Sequence, residues 1–214
     1  MEKRDLADIR RDYSLRELSK ATVASDPFVQ FANWLDEYLA SGPPEPNAFV
    51  LSTVGANGAP SSRVVLLKGF DERGFVFFTN YTSRKAAEID HENRVAMTFF
   101  WPELERQVHV EGVAEKTSRE ESESYFASRP TLSKVGAWAS RQSAGLSDRS
   151  ELERKFAETR AAFEGDDIPC PSFWGGYRVV PTRFEFWQGR RSRLHDRICY
   201  ELKDVEWSVF RLYP

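Results

Sequence analysis

The chain has 214 residues, 41% of them hydrophobic and 14% aromatic, with a formal net charge of -3 and a pI of about 5.8. That length supports one good core, and the composition excludes whole-chain disorder. The acidic balance provides no global positive field for nucleic acid, so any basic site must be local, and small anionic ligands fit better.

The charged start MEKRDLADIRRDYSL reads as neither signal peptide nor membrane span, which points to a cytoplasmic protein. Cys170 and Cys199 follow no metal or redox spacing, and His91, His109 and His195 lie far apart, so no metal site is expected. Residues 1–25 read as a flexible N-terminal arm and 26–214 as one domain.

Asp26 followed by Pro27 predicts a helix start, with Phe28, Phe31, Leu35, Tyr38 and Leu39 on its apolar face. From Ala48 the period becomes that of strands. AFVLSTV, SSRVVLLKGF and FVFFTN, separated by turn residues, predict a three-strand antiparallel meander. SRKAAEID predicts a short helix capped by Ser83, and RVAMTFFW and ERQVHVEGVAEK two further strands. A helical insertion is expected around 118–165, with helices from Thr117 or Ser118 to Arg129, over 133–140 and over 148–163. Residues 168–176 read as a connector, and YRVVPTRFEFWQG, RLHDRICYEL and EWSVFRLYP as three late strands. The fold class is mainly β with helices (α+β), a barrel with helices around it.

Several constellations could carry chemistry, and each also fits a structural role when read alone. Arg63 and Lys68 flank VVLL, and their separation within one strand would put them on opposite faces. Ser83, Arg84 and Lys85 open a helix, where free amides favour phosphate. Gln142 and Ser143 could add neutral donors, and Tyr125, Arg129 and Ser133 recur at spacings of four, so hydroxyls and a guanidinium could converge on a second phosphate. Gln107 offers an amide edge and Trp187 a flat face. In 184–197, FEFWQGRRSRLHDR, the cations Arg190, Arg191, Arg193 and Arg197 surround His195, an anion site with a proton handler or a solvated hairpin tip. Walker, GxGxxG, HExxH and GxSxG sequences are absent. The sum suits a phosphorylated flat cofactor meeting a phosphorylated flat substrate.

Read together, RVVLLK, FFTNYTSRK, ERQVHVEG, YFASRP, GAWASRQS, PSFWGGYRV, EFWQGRRSRLHDR and the terminal RLYP resemble the pyridoxine (pyridoxamine) 5'-phosphate oxidase family from about Asp26 onwards, with a fainter match in IRRDY. The resemblance implies a homodimeric FMN-binding split β-barrel. It implies oxidation of phosphorylated B6 vitamers, pyridoxine or pyridoxamine 5'-phosphate, to pyridoxal 5'-phosphate, with O2 reduced to hydrogen peroxide. It assigns Arg63, Val64, Val65, Leu66, Leu67, Lys68, Phe78, Thr79, Arg84, Lys85, Gln107, Gln142, Ser143, Trp187 and Arg197 to FMN, shared between subunits. Lys68, Tyr125, Arg129 and Ser133 match the substrate phosphate cradle. Arg193 and His195 match the catalytic pair over the pyridine ring, and Arg10 and Tyr13 an arm that closes over substrate. Phe78 stands where some members carry Tyr, and RLYP replaces the more usual RLAP. Arg190 and Arg191 receive no role. Two alternatives keep the same fold: a flavin oxidase with another substrate, as in phenazine biosynthesis, and a non-catalytic flavin-binding barrel.

Overall fold

The structure is a computed structural model and describes residues 6, 8, 12–163 and 165–214. Its elements run α1 (Pro27–Ala40), β1 (Ala48–Val54), β2 (Pro60–Leu66), β3 (Gly69–Asp71), β4 (Gly74–Asn80), α2 (Arg84–His91), β5 (Arg94–Trp101), β6 (Arg106–Lys116), α3 (Arg119–Ala127), α4 (Thr131–Ala139), α5 (Arg149–Ala162), β7 (Trp174–Gln188), β8 (Asp196–Lys203) and β9 (Glu206–Leu212). The strands hydrogen-bond in the order β2-β1-β5-β6-β7-β4-β3, and β8 pairs with β7 and β9. This is the expected mainly-β class with helices. No helix among the described residues is long and apolar enough to cross a membrane.

The chain divides into two compact units. The first comprises Met1–Pro46, Thr98–Val110 and Thr182–Pro214. In it the Asp26 carboxylate accepts from the Phe28 N–H at 2.7 Å and caps α1 as predicted. The buried face of α1 carries Phe31, Trp34 and Tyr38, whereas Leu39, expected on it, is exposed. Trp34 meets Phe186 edge-on at 5.2 Å, and Tyr38 stacks on Trp101 at 5.2 Å. Of the N-terminal segment, the Ser14 and Leu15 amides donate to Glu105 and the Leu18 amide to Asp196. These bonds tie residues 14–18 to this unit.

The second unit comprises Asn47–Met97 and Glu111–Pro181. β1 and β2 form the expected hairpin, in register from Ala48↔Leu66 to Val54↔Pro60. The three-strand meander does not form: β4 pairs with β3 and β7, and β1 with β2 and β5. SSRVVLLKGF is two strands rather than one. The Leu67 N–H bonds Asn47 while the Lys68 N–H bonds Val76, so the chain changes partner there. That bend overturns the opposite-face expectation for Arg63 and Lys68, because alternation holds only within an unbroken strand. α4 begins at Thr131, two residues earlier than expected, just after Pro130. β7 begins at Trp174, inside the expected connector, and pairs there with Asn80 of β4.

Candidate functional site

A cavity of about 510 Å3 lies within the second unit. One wall is the end of β2 and the bend after it, Arg63, Val64, Val65, Leu66 and Lys68. Phe78 and Thr79 come from β4 and Lys85 from α2, while Tyr125, Arg129, Ser133 and Gln142 come from the helical segment. Twelve of the residues singled out in the sequence therefore share one cavity.

The cations around it differ in how they are held. Arg63 donates through Nη1 to Thr53 Oγ1 (2.6 Å) and through Nη2 to Ser61 and to Glu88 Oε2 (3.0 Å). Arg84 Nε donates to Glu88 Oε1 at 2.7 Å. Burial alone would push the Glu88 carboxyl up, but bonds from Ser61, Thr53, Arg84 and Arg63 outweigh it and hold it at about 2. Glu88 thus stays ionised and fixes both arginines. Lys85 has no carboxylate partner among the described residues. Its Nζ donates to Gln142 Oε1 (2.8 Å) and Thr79 Oγ1 (3.1 Å), and burial, with Arg63 nearby, lowers its pKa.

Arg129 has no carboxylate partner among the described residues. Its Nη1 is buried with no hydrogen-bond partner, and burial lowers its pKa. Its guanidinium carbon lies 4.8 Å from the Trp174 ring centroid and 5.2 Å from that of Phe126. Trp174, Phe78 and Tyr125 form a parallel set: Phe78 and Tyr125 stack at 4.1 Å, and Phe78 and Trp174 at 5.5 Å. Gly176, opposite Phe78 in the β4–β7 register, makes room for this, since a Cβ there would stand 2.8 Å from Phe78 Cε1.

A neighbouring cavity of about 730 Å3 shares Lys68, Phe78 and Tyr125. Its arginines are paired: Arg178 with Asp71 (3.0 Å) and Glu121 (2.8 Å), and Arg73 with Asp71. The larger space has paired arginines and the smaller one an unpaired guanidinium nitrogen.

Three expected residues of the second unit do not line the 510 Å3 cavity. Leu67 is buried in the core, Arg84 is exposed beside Glu88, and Ser143 is exposed with φ of 72°. Arg10 lies outside the described residues. Gln107, Trp187, Arg193, His195, Arg197 and Tyr13 belong to the first unit.

There, the Trp187 and His195 rings lie 4.6 Å apart, and Tyr13 stands 5.8 Å from each. Gly189 admits Tyr13, because a Cβ at that position would come within 2.7 Å of its ring. The Arg190 N–H donates to His195 Nδ1 at 3.1 Å, which leaves the hydrogen of the neutral ring on Nε2. Burial, then Arg193, lowers the His195 pKa against the opposing pull of Asp196. Ser192 and Arg193 both take left-handed φ, 58° and 60°, a costly conformation for side-chain-bearing residues, and Arg193 is exposed. Arg197 forms a two-point pair with Glu185 at 2.7 and 2.8 Å. Arg190, unassigned from sequence, bridges Glu17 and Asp196. Gln107 is half-buried on β6.

Sequence reasoning missed Glu88 and Trp174. The partners of Glu88, Thr53 and Ser61, lie 35 and 27 residues away. For Trp174, the two glycines after it were the available signal, since they open space for flat rings.

A family model described as pyridoxamine 5'-phosphate oxidase matches residues 35–163. A second, described as pyridoxine 5'-phosphate oxidase C-terminal dimerisation region, matches 174–214. The chain is 56% identical to a pyridoxine/pyridoxamine 5'-phosphate oxidase of Rubrobacter xylanophilus, over 99% of this chain and 98% of that one. It is 54% identical to one from Cupriavidus pinatubonensis, over 98% and 99%. Among solved structures it resembles PhzG from Burkholderia lata in complex with tetrahydrophenazine-1-carboxylic acid, with a TM-score of 0.85, 31% identity, and coverage of 91% and 95%. A pyridoxamine 5'-phosphate oxidase-related, FMN-binding protein of Nostoc punctiforme shares the fold at a TM-score of 0.71 and 17% identity, over 88% and 98%.

Proposed function

Because the chain belongs to the pyridoxamine 5'-phosphate oxidase family, we propose that it is a cytoplasmic, homodimeric enzyme that oxidises pyridoxine 5'-phosphate or pyridoxamine 5'-phosphate to pyridoxal 5'-phosphate. The alcohol or amine gives up two electrons, O2 takes them to become hydrogen peroxide, and the amine substrate, with one water, also releases ammonia. FMN is the cofactor, and when bound it supplies the two-electron acceptor between vitamer and O2. PhzG, at 31% identity, is a same-fold relative seen with another ligand, whereas the 51–56% relatives carry the B6 oxidase name over nearly their whole length.

The observation that carries this reading is Arg129, which lines a cavity that also presents Lys68, Tyr125 and Ser133 and has no carboxylate partner among the described residues. A phosphate monoester completes that set with charge-assisted bonds. Lys85, held by the neutral Thr79 and Gln142 oxygens, fits a second phosphate, that of FMN, and Glu88 keeps Arg63 and Arg84 oriented beside it. Val64, Val65 and Leu66 give the flavin an apolar wall, with Gln107, Trp187 and Arg197 assigned to it by family resemblance.

His195 and Arg193 act at the vitamer ring. With Nδ1 occupied by the Arg190 amide, neutral His195 presents Nε2–H to hold the reacting substituent, and Arg193 stabilises negative charge on the ring oxygen. Tyr13, packed on Gly189, Trp187 and His195, excludes water there. The test is anaerobic mixing of the FMN-loaded protein with pyridoxine 5'-phosphate: the flavin absorbance should bleach and return on admission of air. A flavin that stays oxidised with either vitamer refutes the reading.

A further inference from the structure

The arginines near the two cavities are oriented by carboxylates, with one exception. Glu88 holds Arg63 and Arg84, and Asp71 and Glu121 hold Arg178. Arg129 has no carboxylate within ion-pair distance among the described residues and rests on ring faces, Trp174 at 4.8 Å and Phe126 at 5.2 Å. Trp174 is itself locked. It is 6% exposed, lies 8° from parallel with Phe78, and takes the edge of Phe126 at 4.9 Å. Its backbone is pinned by the β7 register to Asn80.

The two ways of holding a guanidinium have different consequences. A carboxylate fixes the group and cancels its charge for any incoming anion. An aromatic face fixes it through the ring quadrupole and leaves the N–H edges and the full charge available. Arg129 has the second arrangement: it lines the cavity, lies over two rings, and has no carboxylate partner among the described residues.

We propose that Trp174 is a positioning residue for the substrate phosphate: its π face holds Arg129 in place of a carboxylate, so that the guanidinium reaches a phosphate monoester oriented and unneutralised. This rests on the reading of the cavity as the seat of a phosphorylated B6 vitamer. Trp174 also lines the cavity, and the role proposed for it acts through its contact with Arg129.

The test uses the FMN-loaded full-length protein and equilibrium binding of 4-deoxypyridoxine 5'-phosphate, which has neither an aldehyde nor an oxidisable 4'-substituent, with 4-deoxypyridoxine as the phosphate-free control. Site-specific 5-fluoro- and 5,7-difluorotryptophan at position 174 withdraw ring electron density with little change in volume, so folding is preserved where a truncation could fail. The Kd for the phosphorylated compound should rise with each fluorine, by roughly fivefold across the series, while the Kd for the control stays constant. Trp174→Phe, with a smaller face, should fall between. A flat series in a protein that still prefers the phosphorylated compound overturns the proposal alone, as does equal weakening of both ligands. A wild-type protein that binds the two compounds equally overturns the vitamer reading and the proposal with it.

Discussion

The two cavities that share Lys68, Phe78 and Tyr125 present nearly the same materials and differ in what their arginines face. In the larger, Arg178 is buried between Asp71 and Glu121, and its charge is neutralised before any ligand arrives. In the smaller, Arg129 is partly desolvated over two ring faces and has no carboxylate partner among the described residues. Volume alone would choose the wrong one. A buried cation without a counter-ion costs stability, so its presence marks where an anion belongs.

The largest effect should come from Arg129→Met, which removes a charge-assisted contact of about 1.5–3 kcal/mol and so should raise KM for pyridoxamine 5'-phosphate roughly ten- to a hundredfold. Its Tm should not fall, because the replacement relieves a desolvated charge; steady-state kinetics and calorimetry check both. Arg178→Met should do the reverse. It leaves Glu121 without Arg178 and Asp71 with Arg73 alone, should cost about 1–3 kcal/mol in denaturant unfolding, and should leave that KM within about twofold. If both variants behave alike, the distinction between paired and unpaired arginines fails.

Glu88 sharpens the comparison through pH. Its carboxyl, ordinarily near 4.5, is held at about 2, so its contribution is complete above about 4.5 and is lost as pH falls through about 2. Wild-type Tm should therefore fall over that window more steeply than that of Glu88→Gln, which starts lower at neutral pH. Parallel curves would show that the network adds no stability. The smallest effect concerns His195. Arg193→Ala removes one of the influences that lower its pKa, so the imidazole should titrate at higher pH by NMR, and an unmoved titration would separate the two residues.

Local signals made most elements legible. Asp26 with Pro27, Ser83 and Ser118 each cap the helix they announced, and Asp148 caps α5 at the start of the range expected for it. Pairing between distant strands was not legible. Nothing near AFVLSTV says that its second neighbour is β5, and nothing in RVVLLK says that the chain bends after Leu66. The unbroken apolar run made one strand the natural reading. Twelve site positions were recognisable because the motif strings carried them, but which arginine was already paired depended on carboxylates far along the chain. Leu67, Arg84 and Ser143 show the limit, since membership in a motif does not place a side chain in a cavity.

Gly176 touches no proposed ligand, yet the ring set that carries Arg129 rests on the space it leaves. A side chain there would push on both Phe78 and Thr117, and through Phe78 on Tyr125 and Trp174. In a saturation screen for growth without external vitamin B6, position 176 should therefore be as intolerant as position 129. Its failures, unlike those at 129, should respond to second-site changes that trim the ring at 78.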